Sequence, residues 1–242
     1  MSKALFEFRE FTIQQDKCAM KIGTDGVLLG AWCGEVCPPS CNRILDIGTG
    51  TGVIALMCAQ QWKTALIDAV EIDEEAAAQA RENFGLSLWA DRLYIHPVDI
   101  RRFHREAEAR RYDLIVSNPP FYNGTLLPDD EGRATARHTN ALPFDELMEI
   151  SSQRLSENGK LCIIFPTSEW DKVAASSISH GLSPVVITDV VTKDGKTPKR
   201  SLAAFSRKTD VPLRDTLVIR DRQGTYTQRY RQLVTPFYKS LN

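Results

Sequence analysis

The stretch Asp46-Ile47-Gly48-Thr49-Gly50-Thr51-Gly52 restricts the possible folds of this chain more than any other feature. It leaves a short apolar run, Arg43-Ile44-Leu45-Asp46-Ile47, and enters a segment from Val53 to Gln61 with Ile54, Met57 and Cys58 on one side of a helix. A strand, a glycine-rich turn and a helix in that order form a pocket for a nucleotide-like ligand at the carboxyl end of a parallel sheet. The glycines let the backbone turn sharply and come close to what it binds.

The alternation continues along the chain. Further strands are expected at 65–70, 93–99, 112–117 and 159–165, with helices at 74–84, 144–155 and 169–180. This pattern implies an α/β fold with a mostly parallel sheet covered on both faces. Strands at 184–191 and 201–206 have no helix between them, which implies a late antiparallel strand in a sheet of seven. Residues 5–13 and 18–22 read as a short amino-terminal hairpin extension, Thr24 begins a helix, and a last helix is expected at 226–238. No repeat or linker divides the chain. One domain is expected over 1–242, with an amino-terminal extension (1–32), a core (40–206) and a carboxyl-terminal extension (207–242).

Composition narrows the setting. The 242 residues are 43% apolar and 25% charged, with a net charge of −1, ordinary values for a globular protein. There is no global basic excess of the kind that marks many nucleic-acid-binding domains, so any such contact must come from local clusters. No apolar run approaches the ~20 residues that span a bilayer. The expectation is a cytoplasmic monomer with no membrane partner. Of the six cysteines, Cys33, Cys37 and Cys41 are each separated by three residues, whereas cluster and zinc sites mostly rely on a two-residue gap. Reduced thiols and no metal are expected.

Three acidic residues stand at three successive strand ends: Asp46 before the glycines, Glu71 after the second strand and Asp99 after the third. Glu71 is placed to take both hydroxyls of a ribose, and Asp99 to accept from an adenine amino group. Carboxylates are poorly placed around a pyrophosphate. They suit S-adenosylmethionine, which has no phosphate and carries a sulfonium and an ammonium. Thr24 and Asp25 either add polar groups beside this cofactor or begin a core helix.

Asn118-Pro119-Pro120-Phe121 follows the apolar run Tyr112-Asp113-Leu114-Ile115-Val116-Ser117. The two prolines remove N–H donors and fix the backbone. The Asn118 side-chain carbonyl and the Pro119 backbone carbonyl remain, two acceptors that match the two hydrogens of a planar –NH2 group. Phe121 can stack on the flat face behind it. Asn118, Pro119 and Phe121 are therefore the candidate catalytic residues, with Asn118 also beside the cofactor.

The combination of residues 46–52 with Glu71, Asp99 and residues 118–121 resembles the Rossmann-like class I S-adenosylmethionine-dependent methyltransferases. The resemblance covers about 40–206 and implies transfer to an exocyclic or amide nitrogen. With Cys18-Ala-Met-Lys-Ile-Gly-Thr-Asp-Gly-Val-Leu-Leu-Gly-Ala-Trp32, Arg137-His138 and Pro236-Phe237-Tyr238, the chain is similar to the bacterial tRNA1(Val) adenine-37 N6-methyltransferases. That similarity implies an RNA partner, the tRNA anticodon loop, and adenine as acceptor. Phe121 stands where many relatives carry tyrosine, and phenylalanine also occurs there in ribosomal guanine-N2 enzymes. The –NH2 geometry alone leaves adenine, guanine and protein glutamine open. RNA phosphates would meet local basic groups: Arg133 and Arg137 after the acceptor loop, Lys199 and Arg200 between the late strands, and Lys21 near the amino terminus. Further basic residues, Arg220, Arg222, Arg229 and Arg231, lie near the end.

Overall fold

The computed structural model describes residues 5–18, 21–106, 110–119 and 142–241. Its centre is an eight-stranded sheet formed by β3 (Arg43–Ile47), β4 (Leu66–Glu71), β5 (Leu93–Pro97), β6 (Tyr112–Ser117), β7 (Leu155–Pro166), β8 (Ser183–Lys193), β9 (Arg200–Ser206) and β10 (Leu213–Arg220). The strand order is β10-β8-β9-β7-β6-β3-β4-β5. Strands β3 to β7 are parallel, and β9 runs antiparallel to both β7 and β8. The expected α/β architecture and its late antiparallel strand are both present.

The helices lie on two faces. Helices α1 (Thr24–Val36), α2 (Val53–Gln61), α3 (Glu74–Gly85) and α7 (Gln228–Val234) supply Leu28, Ile54, Phe84 and Val234 to one core. Helices α4 (Ile100–Glu106), α5 (Phe144–Arg154) and α6 (Trp170–Ser179) supply Phe103, Leu147 and Val173 to the other. The near-continuous apolar strands serve both. Ile44, Leu114 and Val116 face the first core, while Leu45, Ile47 and Ile115 face the second.

The structure departs from the sequence pattern at four points. The sheet has an eighth strand, β10, parallel to β8 at the edge. Its only buried residue is Leu217, so its apolar signal is faint. Short α4 was not expected, because only Ile100 and Phe103 mark its buried side. The hairpin forms within residues 5–14, pairing β1 (Leu5–Glu7) with β2 (Thr12–Gln14). The segment after it is held by side chains: Gln79 accepts from the Lys17 N–H at 2.9 Å, and Gln15 accepts from the Ile22 N–H at 2.9 Å. Finally, α7 starts after Tyr226, because Tyr226 bridges Arg220 and Thr227 caps the helix by accepting from the Tyr230 N–H at 3.3 Å.

The carboxyl-terminal segment returns to the hairpin. Arg9 N–H donates to the Phe237 carbonyl at 2.7 Å, and Phe8 bridges Tyr238. Among the described residues, no helix is long and apolar enough to cross a membrane.

Candidate active site

Strand β3 continues to β4 on one side, while β6 lies against its other side. The crevice between β3 and β6 is thus the topological switch point, where ligands settle at the carboxyl ends of such sheets. Ile47 pairs with Ser117 in register, and the Ser117 hydroxyl donates to the Ile47 carbonyl at 2.9 Å. The residues that follow, Gly48 and Asn118, therefore leave the sheet side by side. This single register joins the glycine turn to the acceptor motif.

Gly48, Gly50 and Gly52 all have positive φ, at 72°, 55° and 83°. A Cβ on Gly48 or Gly50 would meet nothing within 4 Å, whereas one on Gly52 would lie 2.4 Å from Cε1 of Phe84. The first two glycines leave room for a ligand, and the third makes room for the packing of α3. Gly52→Ala is expected to destabilise the fold by about 1–3 kcal/mol through strain and the Phe84 clash. Gly50→Ala carries the strain alone and should weaken ligand binding more than it lowers the melting temperature. Paired thermal melts and cofactor titrations separate the two effects, and equal melting of the two variants would remove the packing role of Gly52.

The acidic residues occupy different environments. Asp46 is fully buried beneath the turn, where its Oδ2 accepts from the Thr49 hydroxyl at 2.5 Å. Its Oδ1 makes no well-aligned hydrogen bond among the described residues. Burial pushes this carboxyl up to about 7, against the opposing pull of the Thr49 hydroxyl and the nearby Ala55 N–H, and the charge of Glu71 adds to the rise. Glu71 closes β4. Its two oxygens accept from the Gly50 N–H at 2.8 Å and the Asp73 N–H at 3.0 Å, and burial raises its pKa above the ordinary range. Because a carboxylate has about four lone-pair sites, Glu71 retains acceptor capacity beyond these backbone bonds. Asp99 precedes α4, accepting from the Arg101 backbone N–H at 2.7 Å and the Arg101 guanidinium at 2.9 Å. Arg101 also binds Glu146 on α5.

Asn118 is half-buried, and Pro119 is buried. The Asn118 amide makes no hydrogen bond to any described residue. It lies against the first turn of α1, where a Cβ on Gly26 would be 3.9 Å from Asn118 Nδ2. Phe121, Arg133 and Arg137 lie outside the described residues. Thr24 and Asp25 open α1, and Arg200 donates to Asp25 Oδ2 at 2.8 Å. Arg200 pairs with Pro166 at the carboxyl end of β7, the same end of the sheet as Asn118. Thr24, Asp25, Lys199 and Arg200 thus line a common cavity of about 500 Å³. The Lys21 ammonium instead contacts the Gln15 carbonyl.

Two groups escaped the sequence reading. Asn83 on α3 is buried, accepts from the Gln14 N–H at 2.8 Å, and donates to the carbonyls of Gln14 and Thr51 at 3.0 and 2.9 Å. It ties the hairpin to the glycine turn. An asparagine in an alanine-rich helix, where its propensity is poor, was the available signal. The second group is Tyr226 with Tyr230, which share the cavity wall with Arg220. The cysteines are buried, and Cys37 Sγ lies 3.8 Å from Cys162 Sγ.

Comparison with known proteins bears on the fold and the family. Residues 35–171 match the methyltransferase small domain. A Christiangramia forsetii protein named tRNA1(Val) (adenine(37)-N6)-methyltransferase is 46% identical over 243 residues, covering all of both chains. A Bacteroides fragilis protein of the same name is 41% identical over 241 residues, again covering both chains fully. Among solved structures, a predicted O-methyltransferase from Agrobacterium tumefaciens superposes with a TM-score of 0.67 at 20% identity, over 88% of this chain and 96% of that one. A T. thermophilus 16S rRNA N2 methyltransferase in complex with AdoMet and guanosine has a TM-score of 0.55 at 18% identity, over 82% of this chain and 47% of that one. The two structures share the fold. Full-length identity at this level shows that the chain belongs to the tRNA1(Val) (adenine(37)-N6)-methyltransferase family.

Proposed function

We infer that this protein uses S-adenosylmethionine to methylate the N6 amino group of adenine-37 in tRNA1(Val). The observation that carries the chemistry is the Ile47–Ser117 register, which sets Asn118 and Pro119 beside the glycine turn. The full-length relatives' names support adenine and this tRNA over guanine or glutamine.

The residues fit the cofactor. Gly48 and Gly50 leave open space, Glu71 has acceptor sites for ribose hydroxyls, and Asp46 places a titratable carboxyl beneath the turn. Asp99 is proposed to accept from the adenine of the cofactor. When bound, S-adenosylmethionine supplies an electrophilic methyl group on a sulfonium. The chain's own part is positioning. Asn118 Oδ1 and the Pro119 carbonyl accept the two amino hydrogens, which draws the nitrogen lone pair out of conjugation and aims it at the methyl group. Orientation of this kind can supply on the order of 7–11 kcal/mol of barrier reduction. No strong general base is required, because the methylated nitrogen sheds its proton readily.

A stacked adenine must first turn outward, at a cost of a few kcal/mol. Phe121 is proposed to stack on it and recover about 1–3 kcal/mol. Lys199 and Arg200, with Arg133, Arg137 and Lys21, are proposed to hold the RNA backbone. Lys199→Ala with Arg200→Ala is expected to weaken tRNA binding and flatten its salt dependence by about two phosphate contacts. An unchanged salt slope would place the RNA elsewhere.

Nucleoside mass analysis of tRNA from cells with and without the protein tests the main reading. Loss of N6-methyladenosine at position 37 is expected. Loss of N2-methylguanosine in its place would overturn the base assignment.

A further inference from the structure

The cavity that Thr24, Asp25, Lys199 and Arg200 share extends beyond the acceptor motif to the far edge of the sheet. Its outer wall is aromatic. Tyr226 and Tyr230 stack with ring centres 4.9 Å apart and planes at 25°, and the Arg220 guanidinium sits 3.9 Å from the Tyr226 ring centre. The Arg220 guanidinium also donates to the Gly224 carbonyl, which holds this flat cation in place. Three cations, Lys199, Arg200 and Arg220, face one carboxylate, Asp25, so the lining is net positive. Its volume lies in the range that holds small ligands. Nothing in the methyl-transfer chemistry requires such a wall at β10 and α7.

Location connects the cavity to the reaction. Asp25 lines it, and the next residue, Gly26, packs against Asn118. The cavity and the acceptor site are therefore separated by the first turn of α1. The cavity thus lies beside the place where a strand carrying an adenine at Asn118 would run.

We propose that this cavity is a subsite for an unpaired RNA nucleotide flanking the methylated adenine, its base against the Arg220–Tyr226 platform and its phosphate on Lys199 and Arg200. Both halves of the site suit such a ligand. Aromatic rings and guanidinium planes stack single-stranded bases without regard to sequence, and paired cations take the phosphate. The phosphate competes with Asp25 for Arg200. The proposal rests on the tRNA-methylation reading above.

The test is a binding cycle using a synthetic anticodon stem-loop and derivatives made abasic at each nucleotide flanking position 37. Wild-type protein should lose roughly tenfold or more in affinity when one particular flanking base is missing, consistent with one lost stacking contact. Arg220→Gln, Tyr226→Leu and their double variant should bind the intact loop about as poorly as wild type binds that abasic loop, and should show no further loss with it. Melting temperature and S-adenosylmethionine affinity report whether each variant is folded. Should Arg220→Gln fold poorly, the cycle is read from Tyr226→Leu, which removes a ring of the same platform. Additive losses from protein and RNA changes, or an unchanged affinity in the variants, would overturn the subsite. Methylation of the intact loop by wild type is measured in parallel. Coupled binding without methylation would support the subsite and overturn the methylation reading, whereas methylation without coupling would do the reverse.

Discussion

Asn118→Ala is expected to lower kcat for tRNA methylation by about a hundredfold or more, as the loss of one positioned polar group does in other active sites. S-adenosylmethionine affinity should remain within a few-fold. The expectation follows from what Asn118 touches. Its amide makes no hydrogen bond to a described residue, so truncation breaks none among them. Neighbouring Ser117 still bonds Ile47, which keeps β3 and β6 in register and the glycine turn in place. The loss falls on the amino group of the target base, which would keep the Pro119 carbonyl and lose its second acceptor. One acceptor cannot fix the plane of an –NH2 group, and misorientation is costly because the reaction depends on alignment. Single-turnover methylation of an anticodon stem-loop, with the cofactor Kd measured separately, provides the check. Near-normal turnover in the variant would remove Asn118 from the catalytic role.

Asp46→Asn is expected to weaken S-adenosylmethionine binding by about tenfold or more, through loss of a charge in a low-dielectric site. Above pH 7 it should also raise the melting temperature of the cofactor-free protein. Both effects come from one buried carboxyl. An unfolded aspartate titrates near 3.9, by the reference value for a free side chain. In the folded protein Asp46 titrates at about 7, so the folded state holds its proton across the interval between. The stability this group contributes is full below its unfolded pKa and is lost as pH rises through about 7. At higher pH the buried charge costs up to about 4 kcal/mol, from roughly three pH units at 1.36 each. An asparagine side chain keeps the shape and an acceptor for Thr49 without that cost. Cofactor binding runs the opposite way, since a sulfonium and an ammonium favour the ionised carboxylate. Wild-type affinity should therefore fall as pH drops below about 7, with proton release on binding. Calorimetry at pH 6 in buffers of different ionisation enthalpy measures that release. A pH-dependent affinity that persists unchanged in Asp46→Asn would assign the titration to another group.

These results divide between what the chain order discloses and what only packing reveals. The strand–turn–helix at residues 43–61 and the alternation after it were legible because a buried parallel strand is apolar along its length and the turn requires glycines. The Asn118 side-chain carbonyl and the Pro119 backbone carbonyl were legible as two acceptors for a similar reason: prolines remove donors wherever they stand. Strand β10 was not legible, because an edge strand with Leu217 as its buried residue carries almost no periodicity. Nor was the tie from Asn83 to Gln14 and Thr51, which crosses more than thirty positions of sequence.

The sequence by itself determined the fold class, the glycine turn, the acidic strand ends and the acceptor motif, since each depends on local residue chemistry. The tertiary structure alone decided that Asp46 lies beneath the turn, its charge acting through the protein interior. It also decided that Asp25 meets Arg200 across 175 positions, and that Arg220, Tyr226 and Tyr230 complete a cavity one helical turn from Asn118. Burial and long-range proximity arise only when strands select their neighbours, and no local pattern in the chain records that selection.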